Sequence, residues 1–178
     1  MVGGSNPSGR ANENSEQWTV VSDREKDEWF MREALKEAEK AAPKGEVPIG
    51  AVIVSDNKII ARGHNLKEST ADATAHAEII AIKKASKKLG GWRLTNSIIY
   101  VTLEPCLMCM GALIQARVER LVFGCYDPKA GACGSLYDLS QDKRLNHQIK
   151  VTEGVMAGEC GKILKGFFNG LRNKYRKE

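Results

Sequence analysis

Apolar and polar positions alternate in blocks along this chain, and the period of each block predicts an element. After residues 1–16, which carry almost no apolar content, Phe30, Met31, Ala34, Leu35 and Ala38 recur at three- and four-residue spacing. That is the inner stripe of a helix running from Ser22 to about Ala42. Ser22 followed by Glu25 makes a capping box at its start, and Pro43 with Gly45 ends it. IGAVIVS and KIIARG flank Asp56-Asn57 and predict a β-hairpin. A polar loop continues through about Thr74, after which AHAEIIAIKKASKKL returns to helical spacing and stops at Gly90 and Gly91. SIIYVTL (97–103) reads as a buried strand, CLMCMGALIQARV as a helix and RLVFG (120–124) as a strand. Together they form a parallel βαβ unit with a right-handed crossover. A Gly-rich loop from Cys125 to about Tyr137, a short strand around IKVTEG and a last helix from about Gly158 complete the pattern. The order predicts an α/β fold, a three-layer α/β/α sandwich with a mixed, about five-stranded sheet.

Composition narrows the class. A chain of 178 residues suits one domain. We assign it to residues 22–178, with 1–21 as a flexible N-terminal extension or expression remnant. Hydrophobic residues at 42% and charged residues at 28% exclude wholesale disorder. The longest apolar runs are strand-sized, far below the roughly 20 residues that cross a bilayer, so no membrane segment is expected. The N-terminus lacks the apolar core of a secretion signal, which makes the cytoplasm the expected compartment. There, five cysteines are thiols or metal ligands rather than disulfides.

The net charge of +5 is concentrated at the C-terminus, where Lys162, Lys165, Arg172, Lys174, Arg176 and Lys177 face the single acid Glu178. Such a helix is either a solvated basic face or the footprint of a polyanionic partner.

Candidate chemistry lies at two helix starts. His76 and Glu78 open one helix; thirty residues later Cys106 and Cys109, in EPCLMC, open another directly after a strand. Cysteines at i and i+3 share a helix face and can reach one metal ion, with His76 as third ligand. Three protein ligands leave a fourth tetrahedral position for water, the arrangement of a catalytic zinc. Helix N-termini favour thiolates, and in a first turn Glu78 can approach the open position without being a ligand. The predicted chemistry is attack of zinc-activated hydroxide on an amidine-like carbon, with Glu78 as proton shuttle and ammonia as the leaving product. A lone C-x-x-C is often part of a structural zinc ribbon or a redox pair, but no second pair exists here. The joint pattern H-A-E then P-C-x-x-C matches the signature of zinc deaminases acting on nucleobases.

With these residues in view, the chain resembles the bacterial tRNA-specific adenosine deaminases, cytidine-deaminase-like enzymes that convert the wobble adenosine of an arginine tRNA to inosine. The resemblance spans about residues 22–176 through GEVPIGAVIV, ARGHNL, TAHAE, WRL, YVTLEPCLMCMGAL, VFG, DPKAG, GSLYDL, NH and FFNGLR. It implies one zinc ion per chain, a homodimer, and RNA running across both subunits. It further implies that Asn65 contacts the target nucleotide, that Asp127 and Lys129 contact neighbouring RNA groups, that Val47 lines the base pocket and that Arg172 meets phosphate. The plain alternatives are turn chemistry for Asn65, Asp127 and Lys129, and packing for Val47. His147 reads equally as a structural hydrogen-bonder and His64 as unremarkable; Phe167 and Phe168 read as core of the last helix, and the remaining cysteines as small buried residues. Ala73 stands where the family usually carries proline. The expected substrate is a tRNA anticodon stem-loop. The competing readings are a deaminase of a free base or nucleoside such as guanine or cytosine, and a catalytically silent RNA-binding partner that keeps zinc for structure.

Overall fold

A computed structural model describes residues 22–176. The extension expected at 1–21 and the last two residues of the basic tail lie outside them. Helix α1 spans Asp23–Ala41. Its capping box forms as the sequence dictates: the Glu25 amide donates to Ser22 Oγ at 3.3 Å, and the Ser22 amide to Glu25 Oε2 at 2.9 Å. Strands β1 (Gly50–Ser55) and β2 (Lys58–His64) make the expected hairpin. Asp56 and Asn57 both adopt positive φ, the backbone of the turn whose twist matches the strands it joins.

A four-residue helix, α2 (Lys67–Thr70), interrupts what the sequence presented as a plain loop. Helix α3 (Ala77–Leu89) ends at Gly90 with φ of 71°. Strand β3 is Ser97–Leu103 and helix α4 is Leu107–Gln115, three residues shorter than its apolar pattern because Arg117 turns into the left-handed region. Strands β4 (Arg120–Cys125) and β5 (Lys150–Thr152) precede α5 (Ala157–Tyr175).

The sheet runs β2-β1-β3-β4-β5, antiparallel at β1 and parallel from β3 to β5. Alternate strand residues feed two cores, as a sheet covered on both faces requires. Ala51, Ile53, Ile99, Val101, Leu121 and Phe123 pack with α3 and α4, whereas Val52, Val54, Tyr100 and Val122 pack with α1 and Cys160 of α5. The fold is therefore the predicted three-layer sandwich with a five-stranded mixed sheet. Gly63 fixes how close α3 can lie, since a Cβ there would stand 2.3 Å from the Ala77 carbonyl oxygen. On the opposite layer, Asp27 of α1 receives Tyr100 OH at 2.9 Å and Arg120 Nη2 at 2.5 Å, tying that helix to β3 and β4.

The Phe167–Phe168 pair departs from expectation: Phe168 is 43% exposed on α5, and Phe167, half-buried, lies in neither buried core. Among the described residues no helix is long and apolar enough to cross a membrane.

Candidate metal centre

The crossover brings the starts of α3 and α4 together beyond the C-terminal ends of the parallel strands, the usual crevice for a ligand in an open α/β sheet. His76 and Cys106 occupy the two N-cap positions, both with extended backbone, and neither side chain caps its own helix. Released from that role, they turn toward each other. His76 Nδ1 lies 3.8 Å from Cys106 Sγ and 3.6 Å from Cys109 Sγ, and the three donor atoms all fall within 4.8 Å of one another. With zinc–sulfur bonds of about 2.3 Å and zinc–nitrogen bonds of about 2.1 Å, tetrahedral ligands put nitrogen and sulfur roughly 3.6 Å apart. The donor set and its spacing thus fit zinc.

The electrostatics point the same way. The Cys106 thiol is pulled down to about 4, chiefly by the hydrogen bond from Cys109, against the cost of burial and with help from His76. Cys109 is pushed up by the same bond and by burial. His76 is raised by its bond to Cys106. Glu78, in the first turn of α3 and only 4% exposed, is raised to about 7, first by burial and then by the neighbouring Cys106 charge. A thiolate and a carboxylate pressed together in a dry site repel, and a divalent cation between the sulfurs converts that repulsion into binding energy.

Asn65 follows β2 and is buried. Its Oδ1 accepts the Ala77 amide at 2.9 Å, supplying from outside the cap that His76 does not give to α3. Among the described residues its Nδ2 has no hydrogen-bond partner, so the donor end of this amide is available to a ligand. Val47 is half-buried, and its carbonyl accepts the Ile49 amide at 2.8 Å.

Asp127 is half-buried, and its carboxylate accepts the amides of Lys129 (2.9 Å) and Ala130 (3.2 Å), which is turn chemistry. Lys129 is exposed and lines a cavity of about 350 Å³ with Cys106, Met108 and Tyr137. Arg172 is exposed on α5 and donates to Asn169, apart from the cluster. His147 is the structural hydrogen-bonder, its Nε2 2.7 Å from the Val118 carbonyl. His64 bridges Glu37 and Lys44. Of the other cysteines, Cys133 and Cys160 are buried and Cys125 is half-buried. A cavity of about 850 Å³ between α1 and α5 touches none of the cluster.

Two residues matter here that the sequence reading passed over. Glu46, 1% exposed, accepts the amides of Glu68 (3.1 Å) and Ser69 (2.7 Å) and the Ser69 hydroxyl (2.5 Å), fastening α2 and the loop that leads to His76. Glu104, 2% exposed, accepts the amides of Asp127 (3.0 Å), Cys133 (2.9 Å) and Ser135 (3.0 Å) together with the Ser135 hydroxyl. It sits against Gly131, where a Cβ would come within 2.3 Å of the carboxylate. Burial raises both carboxyls, but these donors outweigh it and each ends below the ordinary carboxylate value. The signal in the sequence was an acid one or two residues before a proline at an apolar run, Glu46 in GEVPIG and Glu104 in TLEPC.

Comparison with known proteins agrees with this geometry. The chain matches the MafB19-like deaminase family over residues 24–172. It is 55% identical over 148 residues to a tRNA-specific adenosine deaminase of Bacillus subtilis, covering 83% of this chain and 92% of that protein. A Streptococcus pyogenes protein of the same name is 45% identical over 150 residues, covering 84% and 94% respectively. A solved structure from work on A-to-I editing by tRNA:A34 deaminases at the wobble position of transfer RNA superposes with a TM-score of 0.74 at 44% identity. It covers 76% of this chain and 99% of that one.

Proposed function

This chain belongs to the deaminase family of the tRNA-specific adenosine deaminases, and from that premise we propose that it converts adenosine to inosine at the wobble position of a tRNA anticodon, an arginine tRNA by resemblance. The observation that carries the reading is the convergence of His76, Cys106 and Cys109 with the carboxyl of Glu78 buried beside them. One zinc ion per chain would be held by those three donors. When bound, zinc supplies the acidification that lets water attack a purine ring carbon at neutral pH.

The chain's own groups do the rest. Glu78 takes one proton from the attacking water and hands it to the ring nitrogen, then carries the remaining proton of the new hydroxyl to the departing amine, so adenosine and water become inosine and ammonia. Burial holds its carboxyl near neutrality, where a group can both accept and return a proton. Asn65, with Oδ1 committed to Ala77, presents Nδ2 to an acceptor on the target base. Val47 lines the base pocket. Asp127 and Lys129 contact neighbouring RNA groups, and Arg172 meets phosphate. A single-stranded anticodon loop can deliver an unstacked base to such a pocket without melting a duplex.

We further infer a homodimer, on the resemblance and on the exposed apolar side chains Leu107, Leu136 and Tyr137 grouped at the mouth beside Cys106. A tRNA substrate makes the cytoplasm its place of work. Residues 22–178 form the deaminase domain, with 1–21 an extension outside it.

The test incubates zinc-loaded protein with an anticodon stem-loop carrying a wobble adenosine, and separately with free adenosine, cytosine and guanine, measuring inosine by mass and ammonia by colour. Inosine in the stem-loop alone is expected. Ammonia from a free base alone would make this a small-molecule deaminase, and no product from any substrate would leave a silent RNA-binding partner.

A further inference from the structure

Helix α3 begins in the site and runs away from it for about 18 Å at 1.5 Å per residue. Lys83, Lys84, Lys87 and Lys88 are all exposed on it. They form two rows at i, i+4, an arrangement in which like charges repel and weaken the helix. Lys87 and Lys88 complement the partial negative charge of the last turn, but Lys83 and Lys84 lie too far back for that account. Among the described residues, none of the four is in an ion pair with a carboxylate within 4.0 Å; Lys84 alone is tied down, donating to the Arg62 carbonyl at 2.9 Å.

Just past the helix the chain exposes an aromatic plane. Trp92 is 53% exposed, with the Arg93 guanidinium 4.1 Å from its ring centre. This half-solvated indole, stacked on a cation, lies in neither buried core. It is the surface on which nucleic-acid bases and sugars stack. A row of cations along the helix and a flat ring at its far end suit a polyanion that carries rings, rather than an acidic protein.

We propose that this face is a second RNA-contact surface, which takes the phosphate backbone of the tRNA outside the anticodon loop while the loop occupies the zinc site. The inference rests on tRNA being the substrate. The RNA enters the site at the start of α3, so its backbone must leave along some face of the protein. The outer face of α3 offers a run of cations that starts at Lys83, about 9 Å along the helix from the site, and continues to its far end.

The test compares the parent with a K83Q/K87Q/K88Q variant, leaving Lys84 and its bond to Arg62 intact. Binding of full-length tRNA is followed across salt concentration, and steady-state deamination gives KM and kcat. Each phosphate contact contributes roughly 0.7–0.9 to the slope of log affinity against log salt, so three lost contacts flatten it by about 2–3. KM for tRNA rises at least tenfold while kcat at saturating RNA holds, and K83R/K87R/K88R restores the parental slope. W92A weakens binding without changing the slope, as loss of stacking requires. An unchanged slope and KM in the triple Gln variant, with inosine still formed, overturns the proposal while leaving the deaminase reading intact. Absence of inosine with the parent protein defeats the deaminase reading itself.

Discussion

Replacing Glu104 by Gln removes one acceptor from a carboxylate that serves four donors. Glutamine's remaining oxygen can keep the amides of Cys133 and Ser135, but its NH2 then faces the Asp127 amide, which now donates to Oε2 at 3.0 Å. The Ser135 hydroxyl can rotate to accept; the Asp127 amide cannot. A hydrogen bond to a charged group contributes about 1.5–3 kcal/mol, and a buried donor left unmet costs about 1–3 kcal/mol. Allowing for relaxation at the half-buried end of the loop, the variant should lose about 3 kcal/mol. For a chain of this size that lowers Tm by roughly 6–12 °C. Thermal unfolding of the zinc-loaded protein measures the loss, metal analysis checks that zinc stays stoichiometric, and amide hydrogen exchange reads residues 127, 133 and 135 individually. Unchanged Tm and protection at those three amides would refute the idea that the carboxylate holds the loop. A fall in Tm with the three amides still protected would place the cost elsewhere.

Glu78→Gln should keep zinc and fold yet slow deamination by about 10²–10⁴, the usual contribution of a general acid–base; its stability should equal or exceed the parent's, since a buried carboxyl with its titration near neutrality is removed. Retained turnover would contradict its assigned role. Cys106→Ala should purify without stoichiometric zinc and unfold more readily, because the lost metal contributes folding free energy; a full complement of zinc would exclude the thiol as a ligand. Glu46 is held below its ordinary pKa in the folded state, so its contribution is present above the unfolded carboxylate value of about 4.3 and vanishes as pH falls through the folded one. The stability gap between parent and Glu46→Gln should be full near pH 7 and close in acid, and a gap constant with pH would show that the carboxylate charge is not what holds α2.

What could be read in advance was local. The hairpin, the 97–103 strand and the α3 stop follow from period and breakers within a few residues, and the structure places each where the pattern did. His76, Cys106 and Cys109 were legible because their spacing relative to two helix starts is itself the geometry. The misses depend on partners distant in sequence. Glu46 and Glu104 gain meaning only from amides about 22–31 residues away. α4 stops early because Arg117 leaves the helical region, while its apolar period continues to Val118. Phe168 lies exposed because α5 reaches the buried core through Cys160, while Phe167 lines the cavity between α1 and α5. Asn65 read as a nucleotide contact with turn chemistry as the alternative, and its capping of α3 from another element left no mark on the neighbouring sequence.

The two buried carboxylates grip mostly main-chain N–H groups, and every residue except proline offers one. A clamp of that kind does not register which side chains the loops display. Glu68, Lys129 and Tyr137 can be exchanged for other residues while the amides stay where Glu46 and Glu104 hold them, so the rim can acquire new preferences without disturbing the chemistry at its centre. The exceptions are Gly131, where any side chain would strike Glu104, and Ser69 and Ser135, whose hydroxyls donate to the two carboxylates. Diversification of this enzyme, natural or directed, therefore has open ground on its loops between three fixed points.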